Sequence, residues 1–308
     1  MTSAPEYLPL PADPVVAVIG AGTIGLSWAR LFASHGHPVR IFDPRPDLAE
    51  VVEAFAAEHP DLAFRITRAE SVADAVRQAG FVQESTPEKL EVKRQLLGDL
   101  AAAVSEHALI LSSSSTLPAS RMAEGLPDQV AARLLIGHPF NPPHLMPLVE
   151  VVPGERTAPE STERAVAFYR SVGREPVVLH REAAGFVGNR LQNAVLREAV
   201  HLVQTGVVSP VDLDTLVTNS LGLRWAAVGP FEGMHLGGGP AGFRGFMEHI
   251  GPSFAAIDLH EPDLSAEGME PVFQQVEEAY GPRGSAESAE RRDGIQADIL
   301  ERRPTRSN

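Results

Sequence analysis

Short apolar runs alternate with stretches of helical periodicity over residues 15–179. Such alternation is typical of a parallel sheet whose strands are joined by crossover helices. We therefore expect this part of the chain to form a Rossmann-type, doubly wound α/β fold with a parallel sheet. The pattern predicts strands at 15–19, 39–42, 81–82, 108–111, 134–137, 148–152 and 177–179, and helices near 23–35, 47–58, 88–104 and 160–172.

Beyond residue 182 the pattern becomes helical. Leu191, Val195 and Leu202 recur at helical spacing, and glycines and prolines between 222 and 240 predict several short helices rather than a second sheet. We predict a Rossmann domain over residues 1–182, with a flexible leader at 1–14, and an all-α domain over 183–308 that ends in a surface helix and a polar tail. The leader has four prolines and two acidic residues, which is unlike a secretory signal.

Composition narrows the possible partners and compartment. A length of 308 residues fits two domains, and 26 basic against 40 acidic residues leave a formal charge of −14, which disfavours nucleic acid binding. The chain has no cysteine, so disulfides and thiolate metal sites are excluded. Its apolar runs are too short for a membrane-spanning helix. We therefore expect a cytoplasmic protein that binds neither nucleic acid nor membranes.

A glycine motif follows the first predicted strand. Gly20, Gly22 and Gly25 form G-x-G-x-x-G between a strand and a helix, and Asp43 follows Gly25 by eighteen residues, at the end of the second strand. In this pattern the glycines admit a pyrophosphate at the helix N-terminus, and the acidic residue binds the adenosine ribose. The alternative is a set of turn glycines with a solvated aspartate. Asp43 favours NAD over NADP, although Arg45 could accommodate a 2′-phosphate.

Polar residues also follow two later strands. The serine run 112–115 ends one strand, and His138 ends another, while Glu150 lies within the next apolar strand. A buried carboxylate needs a partner, and pairing with Glu150 would fix His138 in one tautomer and make it a better base. The alternatives are serines that cap a helix near Pro118, a core histidine bonded to the backbone, and a solvent-facing glutamate. The residues alone leave both interpretations open.

Several motifs together resemble the 3-hydroxyacyl-CoA dehydrogenase superfamily. They are the glycine motif, residues 83–93, the serine run, residues 138–142 with Glu150 twelve residues after His138, and residues 185–190. Residues 206–214, 221–224, 229–230 and 234–236 are most similar to its L-gulonate 3-dehydrogenase and lambda-crystallin branch. The resemblance covers roughly residues 15–250 and implies a dehydrogenase that dimerises through its helical domain.

The resemblance also implies roles for individual residues. His138 matches the general base and Glu150 the residue that orients it, while Ser115 and Asn189 match residues that bind the reacting oxygen. Asn141 is a supporting substrate residue. No metal is implied, and the histidine spacing predicts none. The positions that match contacts with NAD are Thr23, Ile24, Asp43, Glu88 and Lys93.

Two departures from the acyl-CoA dehydrogenases bear on the substrate. The segment between Asp43 and Pro87 is short where longer members insert a helical hairpin that holds CoA, and Arg224 stands where the gulonate branch suggests a ligand for a substrate carboxylate. We therefore expect a free 3-hydroxy acid that is interconverted with its 3-keto form. The alternatives are reduction of an aromatic β-keto polyketide intermediate, a 3-hydroxyacyl-CoA substrate, and a structural, crystallin-like protein.

Overall fold

The structure is a computed structural model that describes residues 14–303. The predicted leader lies outside the described residues except for Pro14, as does the end of the predicted tail. The chain divides into two compact units between Asn189 and Arg190. The domain boundary after residue 182 stays a prediction, and the first unit includes the seven residues beyond it.

Within residues 14–303, eight strands form one sheet in the first unit. They are β1 (Val15–Ile19), β2 (Val39–Phe42), β3 (Ile66–Arg68), β4 (Ala79–Glu84), β5 (Leu109–Ser112), β6 (Leu134–Pro139), β7 (Leu148–Pro153) and β8 (Glu175–Val178). Their order is β3-β2-β1-β4-β5-β6-β7-β8. Strand β1 pairs in parallel with both β2 and β4, so the order reverses beside it, as in a Rossmann fold. The predicted fold class is confirmed.

Helices cover both faces of this sheet, because successive strand residues point to opposite sides. Val16 and Val18 enter a core with Trp28, whereas Ile19 enters a second core with Leu97. The sheet is therefore doubly wound. The helices are α1 (Thr23–Ser34), α2 (Leu48–Glu58), α3 (Val72–Val76), α4 (Leu90–Ala103), α5 (Ala119–Met122), α6 (Asp128–Ala131) and α7 (Pro159–Ser171), with a 3-10 turn at Ala63–Arg65.

Strand β7 corrects the expectation of an all-parallel sheet, because it runs antiparallel to β6. Only residues 140–147 join the two strands, which is shorter than the dozen or so residues that a parallel crossover needs. The chain therefore turns back on itself. Strand β8 pairs in parallel with β7, so both strands at this edge run opposite to the others.

The pattern also missed β3 and α3. Strand β3 has three residues, and two of them are exposed, while α3 spans five residues. Elements of this size hold too few apolar positions for a period to be recognised. Ser71 marks the start of α3, because its side chain accepts a hydrogen bond from the Asp74 N–H.

The second unit is helical, as predicted, with no strand between residues 190 and 303, and the glycine- and proline-rich stretch forms several short helices between two longer ones. Ser209, Ser265 and Ser285 cap three of them, each accepting a hydrogen bond from the backbone N–H three residues on. Among the described residues, no helix has the length and apolar character needed to cross a bilayer. The helices are α8 (Gly188–Gln204), which begins in the first unit, α9 (Pro210–Asn219), α10 (Leu221–Ala227), α11 (Pro230–Gly237), α12 (Gly242–His249), α13 (Gly251–Ala255), α14 (Ala266–Tyr280) and α15 (Ala286–Arg302), with a 3-10 turn at Gly239–Ala241.

Candidate active site

The three motif glycines occupy three different environments at the end of β1. Gly20 has a φ of +107°, and a Cβ there would lie 2.5 Å from the Ser85 carbonyl oxygen. A Cβ on Gly25 would overlap the Gly20 carbonyl oxygen, so Gly25 lets α1 pack against the strand. By contrast, a Cβ on Gly22 would meet no atom within 4 Å. The loop is therefore tight at its ends and open in the middle, where a pyrophosphate would approach.

The start of α1 adds free hydrogen-bond donors to this loop. The Leu26 N–H is bonded to the Gly22 carbonyl, so the N–H groups of Thr23 and Ile24 precede the first intrahelical bond. Such groups, together with the helix dipole, attract an anion. The open space at Gly22 and these free N–H groups fit the diphosphate of a dinucleotide.

Asp43 joins the end of β2 to the glycine loop. Its Oδ2 accepts a hydrogen bond from the Ala21 N–H at 2.8 Å, and its Oδ1 accepts one from the Arg45 N–H at 3.0 Å. The Arg45 guanidinium is engaged elsewhere, because its Nε and Nη2 each donate to Asp47 at 2.7 Å. A carboxylate therefore stands at the ribose position while the nearby arginine is paired, which favours NAD over NADP.

His138 and Glu150 form a buried pair. They are directly opposite each other in the β6–β7 register, and His138 Nδ1 lies 2.7 Å from Glu150 Oε2. The imidazole is 5% exposed and lies between the rings of Phe140 and Phe186, with both centroid distances at 5.5 Å. Among residues 14–303, His138 Nε2 has no hydrogen-bond partner. Because a carboxylate only accepts, Nδ1 donates to Glu150, and in the neutral imidazole Nε2 therefore holds the lone pair.

The second oxygen of Glu150 is also occupied. Its Oε1 accepts hydrogen bonds from the N–H groups of Val187 and Gly188, both at 2.9 Å, where α8 begins. Burial by itself raises the pKa of Glu150, but the hydrogen bonds from His138, Gly188 and Val187 outweigh it and hold the pKa below its ordinary value. Glu150 is therefore ionised at neutral pH, with both oxygens fixed.

The serine run folds around a second carboxylate. Glu88 Oε1 accepts hydrogen bonds from the Ser114 hydroxyl at 2.7 Å, the Ser115 N–H at 3.0 Å and the Thr116 N–H at 2.7 Å. Burial raises the pKa of Glu88, but the hydrogen bonds from Ser114 and Thr116, together with the charge of Lys93, hold it below its ordinary value. The Ser115 hydroxyl lies 3.5 Å from the same oxygen, a long contact that holds it loosely.

Asn189 links the serine loop to the histidine pair. Its Nδ2 donates to the Ser115 carbonyl oxygen at 3.1 Å, and the preceding residue, Gly188, donates to Glu150. Four residues predicted for the reaction, His138, Glu150, Ser115 and Asn189, are thus joined by one short path of bonds. One serine also makes a bond of the kind expected if the run capped a helix near Pro118, because Ser114 Oγ accepts a hydrogen bond from the Leu117 N–H just before α5.

Lys93 lies deeper than a surface contact with NAD would require. It is 1% exposed, and its Nζ donates to Glu84 Oε1 at 2.8 Å, Glu84 Oε2 at 2.9 Å and the Thr86 carbonyl oxygen at 3.2 Å. Glu84 was not among the residues predicted from the sequence. The available signal was a carboxylate at the end of an apolar strand, which requires a cationic partner.

The two predicted substrate residues have few contacts of their own. Asn141 is exposed in the loop after β6. Arg224 is exposed in α10 of the second unit, and its guanidinium makes no hydrogen bond or ion pair within the described part of the chain. Their roles stay predictions.

A glycine loop at the strand-order reversal, with a buried histidine–carboxylate pair near the carboxyl end of β6, defines a dinucleotide-dependent dehydrogenase. The family comparison is more specific. The domain described as "3-hydroxyacyl-CoA dehydrogenase, NAD binding domain" matches residues 15–183, and that described as "3-hydroxyacyl-CoA dehydrogenase, C-terminal domain" matches residues 185–283. The chain belongs to the 3-hydroxyacyl-CoA dehydrogenase family and is an NAD-dependent oxidoreductase of CH–OH groups.

Two relatives and one solved structure illustrate this similarity. An L-carnitine dehydrogenase of Streptomyces griseus subsp. griseus is 40% identical over 298 residues, 92% of this chain and 88% of the relative. A lambda-crystallin homolog of Bos taurus is 42% identical over 239 residues, 72% of this chain and 73% of the relative, in agreement with the predicted branch. The structure of 5-formyl-3-hydroxy-2-methylpyridine 4-carboxylic acid 5-dehydrogenase, an NAD+-dependent dismutase, superposes with a TM-score of 0.75 at 26% identity, covering 95% of this chain and all of that chain.

Proposed function

We propose that this enzyme interconverts a 3-hydroxy acid and the corresponding 3-keto acid, with His138 as general base and acid. The observation that carries the proposal is the 2.7 Å bond from His138 Nδ1 to an ionised Glu150, which leaves the Nε2 lone pair available. In the oxidative direction, Nε2 removes the proton of the substrate hydroxyl. Bound NAD supplies the hydride acceptor. In the reductive direction, the imidazolium returns its proton to the carbonyl oxygen.

Glu150 is a positioning residue in this scheme. It holds the imidazole in the Nδ1–H tautomer and stabilises the imidazolium that forms when Nε2 takes a proton. The rings of Phe140 and Phe186 flank the imidazole and keep bulk water from it. A charge pair in such surroundings interacts more strongly than it would in water.

Ser115 and Asn189 are proposed to face the reacting oxygen. The Ser115 hydroxyl has only a long contact with Glu88, so it can turn toward a substrate oxygen without losing a strong bond. Asn189 is attached to the same loop through the Ser115 carbonyl. The two side chains would thereby move as one group.

The proposed substrate carries a free carboxylate. Between Asp43 and Pro87, the structure has one helix of 11 residues, α2, and the five-residue α3, so the helical hairpin that holds CoA in longer family members has no counterpart there. Arg224 offers an unpaired guanidinium, which suits a carboxylate. The carnitine of the relatives' name is itself a 3-hydroxy acid with a free carboxylate, as is L-gulonate.

The role of His138 as general base is tested by His138→Ala. The control is His249→Ala, because His249 is an exposed residue of α12. We expect the first substitution to lower kcat by about 10²-fold or more, while NADH affinity measured by fluorescence hardly changes and the control retains full activity. The assay is carried out with L-gulonate, carnitine, 3-hydroxybutyrate, its CoA thioester and an aromatic β-keto acid. Unchanged kcat in His138→Ala contradicts the proposed base, and turnover of the thioester alone contradicts the free acid.

We further propose that the second unit binds a second copy of the chain. Between residues 190 and 303, three apolar side chains are buried, whereas 22 large apolar or aromatic side chains are exposed. A surface of this kind marks an association site. Light scattering after gel filtration is expected to give about twice the chain mass of 33.0 kDa. A monomer that binds NADH and turns over substrate would contradict this assignment and leave the catalytic proposal intact.

A further inference from the structure

A chain of hydrogen bonds runs from the core between α7 and the sheet to the edge of the glycine loop. The Tyr169 hydroxyl lies 2.9 Å from Gln83 Oε1, and Gln83 Nε2 lies 2.9 Å from Ser113 Oγ. Ser113 Oγ also receives the Trp28 Nε1–H at 3.1 Å and lies 2.9 Å from Ser85 Oγ. The proposed reaction uses none of these five side chains, and their hydrogen positions follow from the partners that each one has.

Tyr169 sets which group donates and which accepts at each hydrogen bond of this chain. Its side chain is fully buried, and burial raises the pKa of the phenol well above its ordinary value, so the hydroxyl is protonated. Among residues 14–303, Gln83 is its only hydrogen-bond partner. If the Gln83 amide were reversed, the phenol hydrogen would be buried without an acceptor, which is costly. Tyr169 therefore donates to Gln83 Oε1, and this fixes Gln83 Nε2 as the donor to Ser113.

The hydrogen bonds of Ser113 fix the direction of donation as far as Ser85. A hydroxyl oxygen has two lone pairs, and those of Ser113 are taken by the N–H groups of Gln83 and Trp28. The Ser113 hydrogen must then be donated to Ser85 Oγ. Because Ser113 is the only partner of the Ser85 hydroxyl within the described residues, the hydrogen of Ser85 itself is left to point away from the chain of bonds.

Ser85 lies at the edge of the cofactor loop. It directly follows β4, its N–H donates to the Ile19 carbonyl at 2.7 Å, and its own carbonyl packs against Gly20. This is the reversal point between β1 and β4, where a dinucleotide binds in this fold. The side chain is half-buried, so its hydroxyl can reach a ligand in that crevice.

We propose that Ser85 is a cofactor-binding residue whose hydroxyl donates a hydrogen bond to an oxygen of the bound dinucleotide, with Tyr169 fixing that direction through Gln83 and Ser113. Tyr169 is then a positioning residue that acts on the cofactor site without touching it. The proposal depends on NAD binding by this family and is independent of the substrate and of the His138 mechanism.

The test measures the Kd for NADH by fluorescence titration of the full chain. Ser85→Ala is expected to raise Kd by about three- to tenfold, the range for one hydrogen bond. Tyr169→Phe keeps the ring but frees the Gln83 amide to reverse, so that Ser113 donates to Gln83 and Ser85 turns its hydrogen inward. We expect it to raise Kd by a similar factor. Because both changes remove one interaction, the double variant should bind no more weakly than Ser85→Ala.

Two substitutions serve as matched controls. Tyr280→Phe removes an exposed tyrosine hydroxyl that is bonded to Asp214, and Ser171→Ala removes a serine hydroxyl at the end of α7. Both should leave Kd unchanged, and thermal melts establish that Tyr169→Phe is folded. An unchanged Kd in Ser85→Ala overturns the proposal. An unchanged Kd in Tyr169→Phe, or a double variant whose loss is the product of the two single losses, overturns the role of Tyr169. Wild-type protein that fails to bind NADH would contradict the cofactor assignment itself.

Discussion

Replacing Glu150 by glutamine tests how the carboxylate controls His138. The amide keeps the size of the side chain but has only one oxygen, and three donors compete for it: the Nδ1–H of His138 and the N–H groups of Val187 and Gly188. If the amide nitrogen faced the backbone, two N–H groups would lose their acceptor, at about 1–3 kcal/mol each. The imidazole, by contrast, can carry its hydrogen on either nitrogen. The amide oxygen should therefore stay on the backbone.

This arrangement reverses the tautomer of the histidine. The amide nitrogen would donate to Nδ1, so the hydrogen of His138 would move to Nε2, which could then no longer accept a proton from substrate. A wrong tautomer in a Ser-His-Asp triad lowers kcat by about 10⁴-fold. We expect a loss of about 10³- to 10⁴-fold here, or about 4–5.5 kcal/mol in the activation barrier. The assay is kcat at saturating substrate, followed by NADH absorbance.

Glu175→Gln provides the matched control, because Glu175 is an exposed residue of β8, the strand next to β7. It should retain wild-type kcat. The Kd for NADH should be the same in both variants and in the wild type, since Glu150 has no contact with the glycine loop. The double variant His138→Ala/Glu150→Gln should be no slower than His138→Ala, because residues that act as a unit are not additive. Glu150→Gln with more than about a tenth of wild-type kcat would refute the tautomer argument.

Three further predictions concern the cofactor loop, the substrate and acid stability. Gly22→Ala should keep wild-type stability but lose about 1–3 kcal/mol in NADH binding, about five- to 160-fold in Kd. Gly25→Ala should instead lose about 1–3 kcal/mol in urea unfolding, because its Cβ overlaps the Gly20 carbonyl. Equal stability in the two variants would contradict this difference. Arg224→Met should raise KM for a carboxylate substrate far more than for its ester, and equal increases would refute the carboxylate-binding role. Burial raises the pKa of Glu150, but the hydrogen bonds that its carboxylate accepts hold the folded-state pKa below the unfolded-state pKa. The ionised Glu150 therefore stabilises the fold fully above the unfolded-state pKa, and this stabilisation is lost as the pH falls through the folded-state pKa. In urea unfolding, the wild type should be more stable than Glu150→Gln at about pH 7, and the difference should shrink toward about pH 3.

The order of elements in the first unit could be predicted because apolar periodicity reports directly on burial. Residues 15–19 are predicted and observed as β1, and the helix predicted near 47–58 is observed as α2 at Leu48–Glu58. The direction of β7 could not be read in this way, since an apolar run looks the same in either direction. The eight-residue connection before it was the usable signal, because a parallel crossover needs more chain.

The candidate site could be predicted only where a side chain carries the function. His138 and Glu150 were visible as polar residues among apolar ones, and the structure pairs them. The N–H groups of Val187 and Gly188 were invisible, because any residue type supplies a backbone donor. The pairing of Lys93 with Glu84 was signalled only by a carboxylate at the end of an apolar strand, since spacing alone does not show that a lysine is turned inward.

The reversed strand is what makes the histidine pair possible. In the antiparallel register, His138 and Glu150 are directly opposite, and residues so placed have Cβ atoms about 4.5–5.5 Å apart on the same face. A slip of one residue would turn Glu150 to the other face of the sheet, away from both the imidazole and the start of α8. A parallel β7 would instead require a longer crossover connection between the two residues. The short connection at 140–147 makes β7 antiparallel, and this one feature places Glu150 both opposite His138 and within reach of the N–H groups at the start of α8.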